Sequence, residues 1–347
     1  MRKIVLAVLV ILAVSFVIFS FADLQNVLVT LRKSNPSFLI AAFVLEIICL
    51  YNTAATMTSL YRLVGMREDR WQMFLMATSA NFVNIVAPSG GLAGIAVFID
   101  SAKKRNLSTA RVMVVGVLYT LYEYISLIVM VGLGFIVLIR RNNLNPGEMI
   151  AAGLLFLIAV GDGIVLYMGY RSTERLGRLL AWFSRQINRL LHPFLHRDYL
   201  KVENAYQFSD EVSEGIQTIR GSHKNLIWPL LFTLNNKALL ISILALTFFA
   251  LDTPFTMGTL VGGFSISYLF FYISPTPAGI GFVEGILPVA LNTLRVPITQ
   301  AVLITMAFRG VTFWFPLLIG GLAFRLLQKR LQKQGFADPP KPPNDLP

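Results

Sequence analysis

Eight near-continuous apolar runs dominate this chain, at residues 4–22, 36–60, 71–99, 109–139, 148–170, 226–251, 254–294 and 298–325. A helix needs about 20 apolar residues to cross the hydrocarbon of a bilayer, and most of the runs reach that length. Water would not tolerate them. Apolar residues fill 55% of the 347 positions and charged residues only 14%, which inverts the usual soluble balance. Inside hydrocarbon every backbone N–H and C=O needs an internal partner, so a chain crosses as helices or as a closed barrel. The runs are solid rather than alternating in segments of about ten residues. They predict an all-α polytopic membrane protein.

Two of the runs are interrupted, one by Pro88-Ser89-Gly90-Gly91 and one by Pro275-Thr276-Pro277-Ala278-Gly279. Proline lacks the helical donor and glycine favours other conformations, so both stretches stop a helix. The breaks also resemble each other. Pro88 through Gly94 aligns with Pro275 through Gly281 as proline, hydroxyl, four residues, glycine. Each leads into an apolar half-helix, a short loop and a long span bearing one charge: Glu123, 35 residues after Pro88, and Arg309, 34 residues after Pro275. The expected architecture is about six full spans plus two re-entrant hairpins in an internal repeat, as in transporters built from paired interrupted segments.

Charge placement gives that repeat a direction. If both broken runs enter and leave on one side, 23 of the basic residues fall on one face of the membrane and 5 on the other. Basic residues concentrate in cytoplasmic loops, so both termini are expected inside and the two hairpins enter from opposite sides. The net charge of +12 then reads as topology and contact with anionic lipid, not as nucleic acid binding. The first run ends Ser20-Phe21-Ala22, a signal-peptidase-like pattern, but is long for a signal peptide and reads as an uncleaved span. The domain expectation is one transmembrane unit over 1–330 and a proline-rich disordered tail over 331–347. Within the unit, residues 171–224 form a cytoplasmic amphipathic insert. Its stripe, from Leu176 to Phe194, suits either the membrane interface or packing on the protein's own spans.

Six ionisable residues fall inside apolar runs: Glu46, Glu123, Asp162, Lys237, Glu284 and Arg309. Each costs on the order of 2.5–3.5 kcal/mol near the centre of a span and is expected to face a bundle interior or a wet cavity. Glu46, Asp162 and Lys237 stand equally as buried ion pairs or as functional groups. Glu123, Glu284 and Arg309 belong to the repeated units and are the stronger site residues. Thr276 is placed to cap a half-helix with Pro277 at its first position, and Ser89 to cap its counterpart. Such half-helices aim free amides and a positive dipole end at an anion, and Arg309 adds a two-pronged fork for phosphate or carboxylate.

Other chemistries lack their residues. There is no P-loop sequence and no grouping of Ser, His and acid for hydrolysis. His192 and His196 are separated by Pro193 and have no evident third ligand. The single cysteine, Cys49, allows no internal disulfide. No cofactor, metal or catalytic set is expected.

The second break, Ser274-Pro275-Thr276-Pro277-Ala278-Gly279-Ile280-Gly281-Phe282-Val283-Glu284-Gly285, resembles a P-T-P-G-G-x-G-x-x-E signature. That signature belongs to the flippase-like membrane family related to the transmembrane region of lysylphosphatidylglycerol synthases. Arg309, within Ala307-Phe308-Arg309-Gly310, is similar to that family's arginine in a late span. Asn84 through Gly94 and Glu123 resemble its first motif and following acidic residue. The likeness runs to about residue 330. The chain departs where Ile95 follows Gly94, many relatives being acidic there, and where it ends without the soluble aminoacyltransferase domain.

The resemblance implies translocation without aminoacylation. A phospholipid or lipid-linked headgroup, anionic or zwitterionic, would cross between leaflets of a bacterial or archaeal plasma membrane. The implied substrate contacts are Arg309, Glu284, Glu123, Ser89, Gly90, Gly91, Thr276, Pro277, Gly279 and Gly281. The alternatives are a transporter of a small water-soluble anion, a lipid-modifying membrane enzyme, and a scaffold with no substrate.

Overall fold

The computed structural model describes residues 27–32, 34–86, 93–105, 107–140, 146–171, scattered positions from 174 to 209, 226–274 and 276–335. The first apolar run, the break at Ser89, Gly90 and Gly91, most of the 171–224 insert and the tail from 336 lie outside these residues. So does the side chain of Asp162.

The described secondary structure is helical. The long helices are α1 (Pro36–Leu63), α4 (Thr109–Arg140), α5 (Pro146–Arg171) and α6 (Ile227–Ala250). Shorter ones build the hairpins: α2 (Arg70–Val86) with α3 (Ile95–Lys104), and α7 (Met257–Ile273) with α8 (Phe282–Thr293). α9 (Ile298–Arg309) passes through a π-helical turn, Gly310–Trp314, into α10 (Phe315–Gly335). Among the described residues, four rods are long and apolar enough to cross a bilayer: α1, α4, α6 and the stretch Ile298–Gln332. α5 adds a shorter apolar segment, Pro146–Gly161. Local chemistry starts α1 sharply, since the Asn35 side chain accepts the Ser37 N–H at 3.1 Å and Pro36 takes the first helical position.

The outer surface is apolar. Ile40, Val44, Ile47 and Ile48 on α1 and Ile150, Phe156 and Leu157 on α5 are exposed. Contiguous apolar faces of this kind aggregate in water and are at rest against acyl chains. The protein is a multi-pass membrane protein.

Packing between the halves is reciprocal. α2, the first arm of one hairpin, lies along α10 of the other half, and α7, the first arm of the second hairpin, lies along α4 of the first. The spans that precede each hairpin, α1 and α6, pack against one another. Both reciprocal crossings rest on a glycine at close approach. A Cβ on Gly134 of α4 would sit 2.4 Å from Ser265 Cβ on α7, and one on Gly320 of α10 would sit 2.6 Å from Phe82 Cβ on α2.

The hairpins open at opposite ends of the bundle. At one mouth Arg105 pairs with Glu68, and Arg330 at the end of α10 reaches Asp69 at 3.6 Å. The other mouth lies where Pro254, Thr293 and Arg295 meet Arg140, the far end of α4. Thirty-two residues of helix separate the two ends of α4 by about 48 Å. An inverted arrangement of the repeat follows, as the charge pattern predicted.

Candidate functional site

The second hairpin turns in an unwound stretch. Ser274 ends α7, Pro277–Gly279 makes a single 3-10 turn, and Ala278, Gly279 and Gly281 all have positive φ, at 47°, 67° and 81°. Positive φ favours glycine, and at Gly279 the space does too. A Cβ there would lie 2.7 Å from the Phe271 ring.

This geometry corrects the expected half-helix start. Thr276 does not cap a helix beginning at Pro277. Its Oγ1 donates to Ile280 O at 2.8 Å, and α8 begins only at Phe282. The cap is Gly281, whose N–H donates to Glu284 Oε2 at 2.8 Å. Three residues in the left-handed region cannot extend a right-handed helix, so the start slides past them. The amide at the start of α8 is therefore engaged by Glu284.

Glu284 holds two partners. Its other oxygen, Oε1, lies 2.5 Å from Arg309 Nε. Arg309 is 4% exposed. It also donates from Nη2 to Ala278 O at 3.4 Å and lies over the Phe313 ring, with Cζ 4.3 Å from the centroid. It stands at the last position of α9, where the helix widens into the π turn. Such turns occur frequently at functional sites.

A second ion pair joins the first repeat to the second. Lys237 Nζ on α6 lies 2.5 Å from Glu123 Oε2 on α4, and Tyr272 on α7 donates its hydroxyl to the same oxygen at 2.7 Å. Lys237 also faces the rings of Tyr268 and Tyr272 at 5.8 and 5.7 Å. Glu123 thus pairs with Lys237 and Glu284 with Arg309.

One cavity of about 200 Å³ is lined by Glu123, Lys237 and Arg309 together with Glu46, Asn84 and Tyr119, and Glu284 stands behind it as the partner of Arg309. α2 packs against the Pro277–Gly279 turn, so the end of one hairpin meets the break of the other beside this space. Asn84 closes the first hairpin by accepting the Gly94 N–H at 2.6 Å. Ile95, the departure noted above, rests on Gly116 of α4 and serves packing. Glu46 is 4% exposed, and its Oε2 has no hydrogen-bond partner among the described residues. The cavity can therefore present two cations, each already matched by a carboxylate, and one further carboxyl group with no cation paired to it among the described residues.

Of the sequence-derived site residues, Arg309 and Glu123 line this cavity, and Glu284 is tied to it through Arg309. Thr276, Pro277, Gly279 and Gly281 shape the turn beside it, and Ser89, Gly90 and Gly91 lie outside the described residues. Sequence reasoning left Lys237 open, named Asn84 only as the start of the first motif, and missed Tyr272. Tyr268 and Tyr272, one turn apart just before the second break, were the available signal.

These features define a class: a helical multi-pass membrane protein with two opposed hairpins around a charged internal cavity. The chain belongs to the family of the lysylphosphatidylglycerol synthase transmembrane region, which matches residues 4–320. It is also similar to the UPF0104 membrane protein MJ1595 of Methanocaldococcus jannaschii. The two are 20% identical over 337 residues, covering 94% of this chain and 96% of that protein.

Proposed function

We propose that the protein is a flippase-like transporter, not an enzyme, that carries a phospholipid or lipid-linked headgroup between leaflets. The observation that carries this reading is the pairing of Lys237 and Arg309 with carboxylates at one internal cavity. A phosphate entering the cavity exchanges for Glu284 on the guanidinium, which it can grip with two parallel bonds. Lys237 supplies a second, mobile point charge. Acyl tails stay in lipid while the headgroup crosses, and the two repeats rock about the cavity to alternate access. Membership of a family named for a lipid synthase's transmembrane region supports a lipid substrate. The 23-to-5 charge split supports both termini in the cytoplasm of a bacterial or archaeal cell.

The test is exchange in liposomes. Anionic, zwitterionic and aminoacylated lipids with labelled headgroups are timed for access to an impermeant quencher, with and without an ion gradient. Wild type should accelerate one class, and Arg309→Ala and Glu284→Gln, verified for equal insertion, should abolish the acceleration. A second reading, transport of a small water-soluble anion, draws on the size of the cavity, since about 200 Å³ suits a compact anion. Lipid exchange no faster than in empty liposomes, together with uptake of inorganic phosphate, would transfer the assignment to that reading.

A further inference from the structure

A second concavity lies on the opposite face of α1 and α6 from the central cavity. It is a groove of about 860 Å³ between α1, α2 and α6. One wall is an aromatic column. Trp71 stacks on Phe74 with ring centroids 5.4 Å apart, and Phe74 on Tyr51 at 4.3 Å. The other wall is Trp228 and Phe232, at 6.1 Å. Tyr51, Trp71 and Trp228 are each about half exposed, and the small Ala54 and Ala55 form the floor.

Arg62 and Arg70 border the groove. Neither guanidinium has an ion-pair or hydrogen-bond partner among the described residues. The acidic neighbours are engaged elsewhere, Glu68 with Arg105 and Asp69 with Arg330. Arg62 is one residue from the end of α1 and Arg70 opens α2, beside the charged 67–70 turn, so this end lies at the membrane surface. Tyr51 lies eleven residues along α1 from Arg62, roughly 16 Å towards the interior. The groove therefore runs from headgroup level, where Trp and Arg collect at membrane interfaces, down among acyl chains.

We infer that this groove is a docking site for one anionic phospholipid of the adjacent leaflet. Its phosphate is held by Arg62 and Arg70, and an acyl chain lies between the two aromatic walls. The complementarity is specific in form: two cations without acids at the wet end, and flat apolar walls with an alanine floor at the dry end. A hydrogen-bonded seam separates the groove from the central cavity. Asn52 donates to Phe232 O at 2.8 Å and accepts from Asn235 at 3.0 Å. Binding at the groove requires no transport and stands apart from the flippase reading.

Trp71 and Trp228 report occupancy directly. The full-length protein, reconstituted in phosphatidylcholine, is titrated with phosphatidylglycerol brominated on its acyl chains while tryptophan fluorescence is followed. Brominated phosphatidylcholine in an unbrominated background is the neutral reference. Two surface arginines should give the anionic lipid on the order of a tenfold advantage in quenching. That advantage should disappear in Arg62→Gln/Arg70→Gln, and the quenched fraction should fall in Trp71→Phe/Trp228→Phe. Soluble glycerol phosphate should not compete. Equal quenching by both lipids in wild type would overturn the proposal, leaving ordinary boundary lipid. So would a preference that survives the double arginine change, or one removed by Arg309→Ala instead, or displacement by glycerol phosphate.

Discussion

Moving an ammonium out of water costs several kcal/mol even after the protein relaxes, and Lys237 is 2% exposed. Glu123, with the faces of Tyr268 and Tyr272, offsets that cost. Lys237→Met should therefore destabilise the protein by about 3–5 kcal/mol, because it strands the Glu123 carboxylate. Glu123→Gln/Lys237→Met should recover most of that loss. A double-mutant cycle in thermal unfolding of the detergent-purified protein measures it, and additive single effects would exclude the pairing. At the second break, Gly279→Ala should cost more than Gly281→Ala. Both substitutions meet positive φ, worth about 1–2 kcal/mol, but only at Gly279 does the new Cβ collide with Phe271, whereas Gly281 faces open space. Equal losses of melting temperature would contradict that ranking.

At the scale of elements, the two reciprocal crossings depend on helices approaching to glycine distance. Gly134→Leu should wedge α4 from α7 and cost on the order of 1–3 kcal/mol or more. Gly132→Leu, two residues away with nothing within 4 Å of its would-be Cβ, should be near neutral. Proteolytic protection of α7 in the reconstituted protein distinguishes the two. The spans were legible in the sequence because apolar length is a local property. So was the pairing of hairpins, since each break repeats a proline–glycine pattern. The start of α8 was not, because Thr276-Pro277 carries a good local capping signal that three left-handed residues downstream override. Nor were the ion-pair partners: Glu123 and Lys237 are 114 positions apart, and only tertiary packing chooses between Lys237 and Arg309 for that carboxylate.

For the whole molecule, opposed hairpin mouths make a topological prediction. In a Cys49→Ala background, Gly65→Cys and Leu107→Cys should react with an impermeant maleimide from one side of the membrane. Asp252→Cys and Arg295→Cys should react only from the other. Labelling of all four from one side would refute the inverted arrangement. The reciprocal packing also constrains biogenesis. α2 finds its groove on α10 some 240 residues later in the chain, the contact of Phe82 with Gly320 being an example. At about 5–20 residues per second, roughly ten to fifty seconds of synthesis pass before that surface exists. During that interval the face of α2 that α10 covers in the folded chain has no partner yet made. Truncations that remove α10 should therefore leave the first hairpin, not the C-terminal end, as the segment recognised by membrane quality control.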